Sequence, residues 1–357
     1  MILGKGMYGV VETYKNDQVV KKINIFENDN TIASNNIFEA IFCKRVQNKV
    51  YTMKNNVNIK NVTLNTDKKS EIHIYMEKGE TLHEYIYNTT YLERMNNLEN
   101  ILLQLAIGLN EIHKYHYVHC DLKPANVIIT NDKDVKIIDY GNMRYTNSNN
   151  LVLCTYTFCA PEFLLQERKP SKTCDAYSLG ALMYFYIFKS NLYDEKKLKE
   201  PEDIKEFFDT QLDCDKINMY DCPDLCPKHI FEIIIGLIDK CPKKRMTVKM
   251  ALKKLKYDPS PPESFNVLTF DEKYIGRFLN EKHELYLLMK KQSYRMCIHA
   301  IYVLELYGEV GTLTPEVLEA IKVIINCFHF PDNLYEVEDK RVRQAIIDVL
   351  EKLEFNI

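Results

Sequence analysis

The sequence predicts an α+β chain: a small β-rich N-lobe, a large helical C-lobe and an all-α C-terminal extension. Three observations predict it. Short runs of alternating apolar residues dominate up to about Met76. Helical apolar spacing then takes over and continues to about Tyr257. Finally, Asp258-Pro259-Ser260-Pro261-Pro262-Glu263 sets three prolines within four positions, which no helix continues through. The expected parts are residues 1–78, 79–257, a linker at 258–263 and an extension at 264–357.

Taken in order, Val10 to Tyr14 and Gln18 to Ile23 read as a strand pair joined at Lys15-Asn16-Asp17. Ile37, Ile41, Phe42 and Val46 recur at helical spacing over 35–47. Val62 to Asn65 and Ile72 to Met76 read as two further strands. Ile101, Leu102, Leu105, Leu109 and Ile112 line one face of a long helix. Val127 to Ile129 and Val135 to Ile138 form a second strand pair, and helices follow. In the extension, Thr314-Pro315 supplies an N-cap and a first-turn proline before Val317, Leu318, Ile321, Ile324 and Ile325. Val342, Ile346, Val349, Leu350 and Leu353 make a last amphipathic helix.

Composition narrows the function. The chain has 357 residues, a net charge of -3 and 46% hydrophobic residues, so it can form a large core and has no basic footprint for nucleic acid or an anionic membrane. No uncharged apolar run reaches about 18 residues, so no transmembrane helix is expected, and the N-terminus carries no signal-peptide pattern. The 11 cysteines have no frame and read as reduced thiols of a cytoplasmic protein. Cys214, Cys222, Cys226 and His229 match no zinc spacing and are read as an ordinary loop.

Three stretches carry chemistry. Leu3-Gly4-Lys5-Gly6-Met7-Tyr8-Gly9-Val10-Val11 contains G-x-G-x-x-G-x-V between two strands, where glycines let backbone N–H groups approach phosphate oxygens. Val19-Val20-Lys21-Lys22-Ile23 places lysines in a strand, and a buried lysine needs an anionic partner. Strand alternation favours Lys21 and keeps Lys22 as the alternative; Glu39 on the next helix is a suitable carboxylate. The third is His119-Cys120-Asp121-Leu122-Lys123-Pro124-Ala125-Asn126, followed by Asp139-Tyr140-Gly141. Asp121 can accept the proton of an attacking hydroxyl. Lys123 can set a positive charge beside a phosphoryl group. Asn126 and Asp139 are oxygen donors suited to Mg²⁺. The short strand pair between them is expected to return Asp139 to the same place as Asp121 and Asn126.

Through these motifs the sequence resembles the eukaryotic protein kinase family from about residue 2 to residue 257. The resemblance implies the bilobal protein kinase fold, ATP and Mg²⁺ as cofactors, and Ser/Thr-bearing protein substrates. It implies Asp121 as catalytic base, with Lys123, Lys21 and Glu39 in the catalytic set and Asn126 and Asp139 as metal ligands. Residues 3–11 would cover the nucleotide, Val11, Val19 and Ile128 would enclose adenine, and Met76-Glu77-Lys78 would form the hinge. Ala160-Pro161-Glu162, Asp175-Ala176-Tyr177-Ser178-Leu179-Gly180 and Cys241-Pro242-Lys243-Lys244-Arg245-Met246-Thr247 look like the family's later motifs, with Arg245 as structural partner of Glu162. Asp121-Leu122-Lys123, together with Thr155, is similar to the Ser/Thr version of the loop.

Departures from the pattern shape further expectations. Cys120 stands where the family has an Arg that pairs with an activation-segment phosphate, so activity without that phosphorylation is expected. Tyr140 replaces Phe, and its hydroxyl needs a partner if buried. The strand before Gly4 is expected to be almost absent, so that either the first strand is very short or Met1 is not the true start; its loss would leave a strand edge unpaired. Residues 264–357 are faintly similar to cyclin-box helices, and contact between them and the Glu39 helix within the chain is one expectation. A pseudokinase scaffold and a small-molecule phosphotransferase are the rival readings of the same motifs.

Overall fold

The computed structural model describes residues 1–6, 9–24, 30–49, 51, 53–65, 71–146, 154–164, 169–192, 222–258, 314–329 and 340–353. Met7, Tyr8, Cys214, most of the linker and the extension up to residue 313 lie outside the described residues. The chain divides into two compact units. One comprises Met1–Asn48, Ile59–Tyr75 and the chain from Pro261 onward; the other comprises Lys49–Asn58 and Met76–Ser260.

In the first unit, strands β1 (Ile2–Gly6), β2 (Gly9–Lys15) and β3 (Gln18–Asn24) are followed by helix α1 (Asn30–Gln47), β4 (Ile59–Asn65) and most of β5 (Glu71–Glu77), whose Met76 and Glu77 count with the second unit. They make a five-stranded sheet in the order β1-β2-β3-β5-β4. The first strand corrects an expectation. β1 is present and pairs antiparallel with β2, Gly4 opposite Val11 and Lys5 opposite Val10, and the Thr13 N–H donates to the Met1 carbonyl at 2.9 Å. β2 is therefore paired on both edges. β1, five residues long with only Ile2 and Leu3 before Gly4, is itself the edge of the sheet. Gly9 follows with φ of 142°, and a side chain there would run into the Lys22 carbonyl, so this position of the loop requires glycine.

The elements of the second unit are β6 (Glu80–Thr81), α2 (Leu82–Asn88), α3 (Tyr91–Lys114), β7 (Tyr117–Val118), β8 (Val127–Ile129), β9 (Val135–Ile137) and β10 (Arg144–Tyr145). Among the described residues, helices α4 (Pro161–Leu164), α5 (Lys172–Phe188), α6 (Lys228–Leu237) and α7 (Val248–Lys254) follow. Residues 55–57 lie along the end of β9: the Val57 N–H donates to the Ile137 carbonyl, and the Ile137 N–H to the Asn55 carbonyl. Thr81 and Thr90 start α2 and α3 with reciprocal capping boxes to Glu84 and Glu93. The apolar stripe of α3 buries Leu98, Leu102, Leu105, Leu109 and Ile112 against β9, α5 and α7. β7 packs on α3 and α5, and the loop after it is hydrogen-bonded to Asp175 of α5, so both sit on a packed floor.

Two C-terminal helices are described, α8 (Pro315–His329) and α9 (Lys340–Lys352). Thr314 caps α8 as its sequence suggests, its hydroxyl accepting from the Val317 N–H at 3.3 Å. α8 packs on α9 and on α1, and all three belong to the first unit. Among the described residues no helix is long and apolar enough to cross a membrane.

Candidate active site

Strand β3 decides between the two lysines. The Lys21 ammonium meets both carboxylate oxygens of Glu39 at 2.7 Å, with Lys21 7% exposed and Glu39 1% exposed. Lys22 leaves the opposite face and pairs with Glu12 of β2 at 2.6 Å, where both side chains are about one-third exposed. Lys21 is thus the buried cation. Its desolvation is offset only by a close, doubly bonded partner, which Glu39 provides. Of the other residues expected around the nucleotide in this unit, Val19 is buried, Val10 and Val11 half-buried, and Leu3 and Gly4 exposed. The backbone of Lys5 and Gly6 runs in β1.

In the second unit, a single carboxylate organises the loop after β7. Asp121 Oδ1 accepts from the Thr155 hydroxyl at 2.8 Å and from its N–H at 3.0 Å. Asp121 Oδ2 accepts from Lys123 Nζ at 2.8 Å and from Asn126 Nδ2 at 3.1 Å. Lys123 Nζ also donates to Thr155 Oγ1 at 2.7 Å, which closes a ring of Asp121, Lys123 and Thr155. Asn126 Nδ2 donates as well to the Asp121 carbonyl at 2.8 Å. With its amide NH₂ so engaged, Asn126 turns its carbonyl oxygen away from Asp121, as a hard-cation ligand must.

Asp139 is tied to this loop through its neighbour. The Ile138 N–H donates to the Asn126 carbonyl at 3.0 Å, and His119 Nε2 lies 3.2 Å from the Ile138 carbonyl. Asp139 itself has φ of 67° and Cys120 has φ of 66°, left-handed conformations that non-glycine residues hold only where surroundings impose them. For Cys120 the imposing group is Asp175. This fully buried carboxylate accepts from the His119 N–H at 2.8 Å, the Cys120 N–H at 3.0 Å and His113 Nε2 at 2.8 Å. Asp175 therefore shapes the backbone on which Asp121 stands. The donor set of Asn126 and Asp139 fits Mg²⁺, which prefers amide carbonyl and carboxylate oxygens.

The departures also find places. Cys120 is buried in an apolar cluster with Val118, Cys159, Cys174, Tyr177 and Ile238. Burial, and then the adjacent Asp175 carboxylate, pushes its thiol well above the ordinary range, so it stays neutral. The Tyr140 hydroxyl has the partners its burial demands, the Ile137 carbonyl at 3.2 Å and Asn56 Oδ1 at 3.4 Å. Glu162 and Arg245 form a bidentate buried pair at 2.6 and 2.9 Å, and the guanidinium lies 5.0 Å from the centre of the Tyr177 ring. Met76 and Ile128 are buried, and Glu77 Oε1 accepts from the Asn58 N–H at 2.6 Å.

Several participants are not legible in the sequence. Asn142 Nδ2 lies 3.5 Å from Asp121 Oδ2, and His113 reaches Asp175 from the last turn of α3. Glu111, also on α3, accepts from the N–H groups of Lys54 and Asn55 and from Asn56 Nδ2. Burial raises the carboxyl pKa of Glu111, and those donors oppose the rise. Nothing in local spacing marks these residues, because each partner lies on a distant segment.

The family model described as protein kinase domain matches residues 1–255. Sperm motility kinase 3A of Mus musculus is 31% identical over 166 residues, which is 44% of this chain and 33% of that protein. The sperm motility kinase Tcr mutant form of Mus musculus is 27% identical over 257 residues, 64% of this chain and 51% of that protein. Mitogen-activated protein kinase 13 of Arabidopsis thaliana is 27% identical over 211 residues, 54% of this chain and 55% of that protein. The match thus spans between about a third and about a half of these relatives. With the family model covering more than half of its length, the chain belongs to the protein kinase family.

Proposed function

We propose that this protein is an ATP-dependent serine/threonine kinase that transfers the γ-phosphoryl group to hydroxyls of protein substrates. The observation that carries this reading is the closed ring of Asp121, Lys123 and Thr155. It fixes a carboxylate and an ammonium side by side on a packed floor, which is what hydroxyl activation beside a phosphoryl group requires. The Lys at 123 and the Thr at 155 are the residues similar to the Ser/Thr version of the loop. They favour a protein hydroxyl over a small-molecule acceptor.

In this mechanism Asp121 accepts the proton of the incoming Ser or Thr hydroxyl as its oxygen bonds to the γ-phosphorus. The bond from phosphorus to the β,γ-bridging oxygen breaks and ADP leaves. Lys123 offsets negative charge on the transferring oxygens. Lys21, held by Glu39, serves the remaining phosphates. A Mg²⁺ ion held by Asn126 and Asp139 would neutralise phosphate charge when bound.

Cys120 extends the reading to regulation. A buried, neutral thiol offers no cation to an activation-segment phosphate, and Asp175 rather than an Arg–phosphate pair shapes this loop. Activity is therefore independent of phosphorylation of that segment. A reducing, cytoplasmic location without nucleic-acid or membrane partners is part of the same reading, supported by the free thiols of the described cysteines and the chain's charge of -3.

The test is direct. Phosphatase-treated full-length protein is incubated with labelled ATP, Mg²⁺ and generic protein substrates, beside Asp121→Asn. Label on Ser and Thr that disappears in the variant is the expected result. No transfer above the variant despite ATP binding overturns the reading in favour of a scaffold, and label on small molecules alone overturns the substrate class.

A further inference from the structure

Helix α1 is unusual in having no solvent side through its middle. Every residue from Asn35 to Lys44 is buried, including Glu39, which lies at the centre of that stretch. These positions make nearly three turns, so the buried side chains cover the whole circumference. A helix lying on one sheet face buries only a stripe of roughly 100°. The sheet accounts for part of the burial of α1, through β4 and β3. Among the described residues, the other large packing partner of α1 is α8, from the C-terminal segment.

The sequence of α8 suits that role. Val317, Ala320, Ile321 and Ile324 are buried and spaced at i, i+3, i+4 and i+7. α9 supports it with a second stripe, Ile346, Val349, Leu350 and Leu353. Polar anchorage of α1 to the sheet lies near the same level of the helix. Asn36 Nδ2 donates to the Asn24 carbonyl at 2.7 Å near the start of the buried stretch, and Glu39 meets Lys21 one turn later. The Lys21–Glu39 pair tolerates little movement, since a buried pair is favourable only at close range. A roll or slide of α1 would draw Glu39 off Lys21.

We propose that α8 is a positioning element for phosphoryl transfer: packed on α1, it holds Glu39 against Lys21, so that the C-terminal segment acts as a built-in brace of the catalytic set. This rests on the kinase reading above. It assigns a role in the reaction to a segment outside residues 1–255, where the family match ends.

The experiment uses full-length protein carrying Ile324→Ala, with the milder Ile324→Val in case the first folds poorly, each alone and combined with Glu39→Gln. Two readouts are taken well below the unfolding midpoint: kcat/KM for ATP, and amide hydrogen exchange across residues 35–44. Ile324→Ala is expected to lower kcat/KM roughly tenfold, since small displacements of positioned groups are costly. In the Glu39→Gln background the same change should cost less than about twofold, because the two substitutions act on one interaction. Exchange across 35–44 should accelerate in both Ile324 variants. An equal fold-loss in both backgrounds marks α8 as merely structural and overturns the proposal. Unchanged exchange in the Ile324 variants overturns it too, whatever the activity. Absence of transfer by the unsubstituted protein would instead defeat the kinase reading, and the exchange data would still decide whether α8 braces α1.

Discussion

Thr155 grips Asp121 twice, its N–H at 3.0 Å and its hydroxyl at 2.8 Å both ending on Oδ1, across 34 positions of sequence. The same hydroxyl accepts from Lys123 at 2.7 Å. Thr155→Val removes the hydroxyl but keeps shape and the backbone bond. It should lower kcat by roughly a hundredfold, the smaller end of what a positioned general base contributes. Thr155→Ser should retain most activity. Steady-state phosphoryl transfer on both variants checks this.

The two neighbouring lysines should behave oppositely. Lys21→Met leaves Glu39 buried without its doubly bonded partner, so stability should fall by about 3 kcal/mol. Activity should be nearly lost. Lys21→Met combined with Glu39→Leu should recover much of the stability and none of the activity. Lys22→Met removes only a pair with Glu12 that is about one-third exposed and should leave both nearly unchanged. Urea unfolding and transfer assays on these variants and the unsubstituted protein separate the outcomes.

Arg245→Lys keeps the charge but loses the bidentate fork onto Glu162 and the stack over Tyr177. A cost of about 2 kcal/mol is expected for the charged hydrogen bonds lost. The thermal midpoint should drop while KM for ATP stays close to that of the unsubstituted protein, because the pair serves to hold the chain around α4 rather than the nucleotide.

The buried thiols set an alkaline limit. Burial and the Glu162 carboxylate raise Cys174 from the ordinary 9.0 to about 12, and Cys120 and Cys159 are raised in the same direction by burial. Their folded pKa exceeds the unfolded one, so the native state holds these protons longer. The resulting contribution to stability is complete below the unfolded thiol pKa and is lost as pH rises from about 9 toward 12. Unfolding free energy measured across that range should decline. At pH of about 8, below the ordinary thiol pKa, iodoacetamide should label Cys241 well before Cys120, Cys159 or Cys174, and denaturant should abolish the difference.

Much of the site is readable where the chemistry is local. His119 to Asn126 carries the proposed base, cation and metal ligand within one short loop, and the β8–β9 pair ties the residue before Asp139 back to it, as its length suggests. That the Tyr140 hydroxyl needs a partner follows from its chemistry, but that Asn56 and the Ile137 carbonyl supply it does not. The extent of β1 is less legible, because two apolar residues before a glycine loop give a weak strand signal. Its pairing comes from β2, whose edge would otherwise lie open.

By itself, then, the sequence determined the family and the fold class and named the candidate groups of the loop after β7, since glycine conformations, prolines and closely spaced polar residues act over a few positions. Only the tertiary structure decided that Lys21 rather than Lys22 is buried on Glu39, that Asp175 and His113 support the loop, and that α8 lies on α1. The reason is physical. An apolar stripe such as that of α8 states that a face must leave water, but hydrophobic burial has no direction and names no partner. A buried charge likewise states only that it needs a counter-charge. Which distant segment supplies either one is settled when the chain packs.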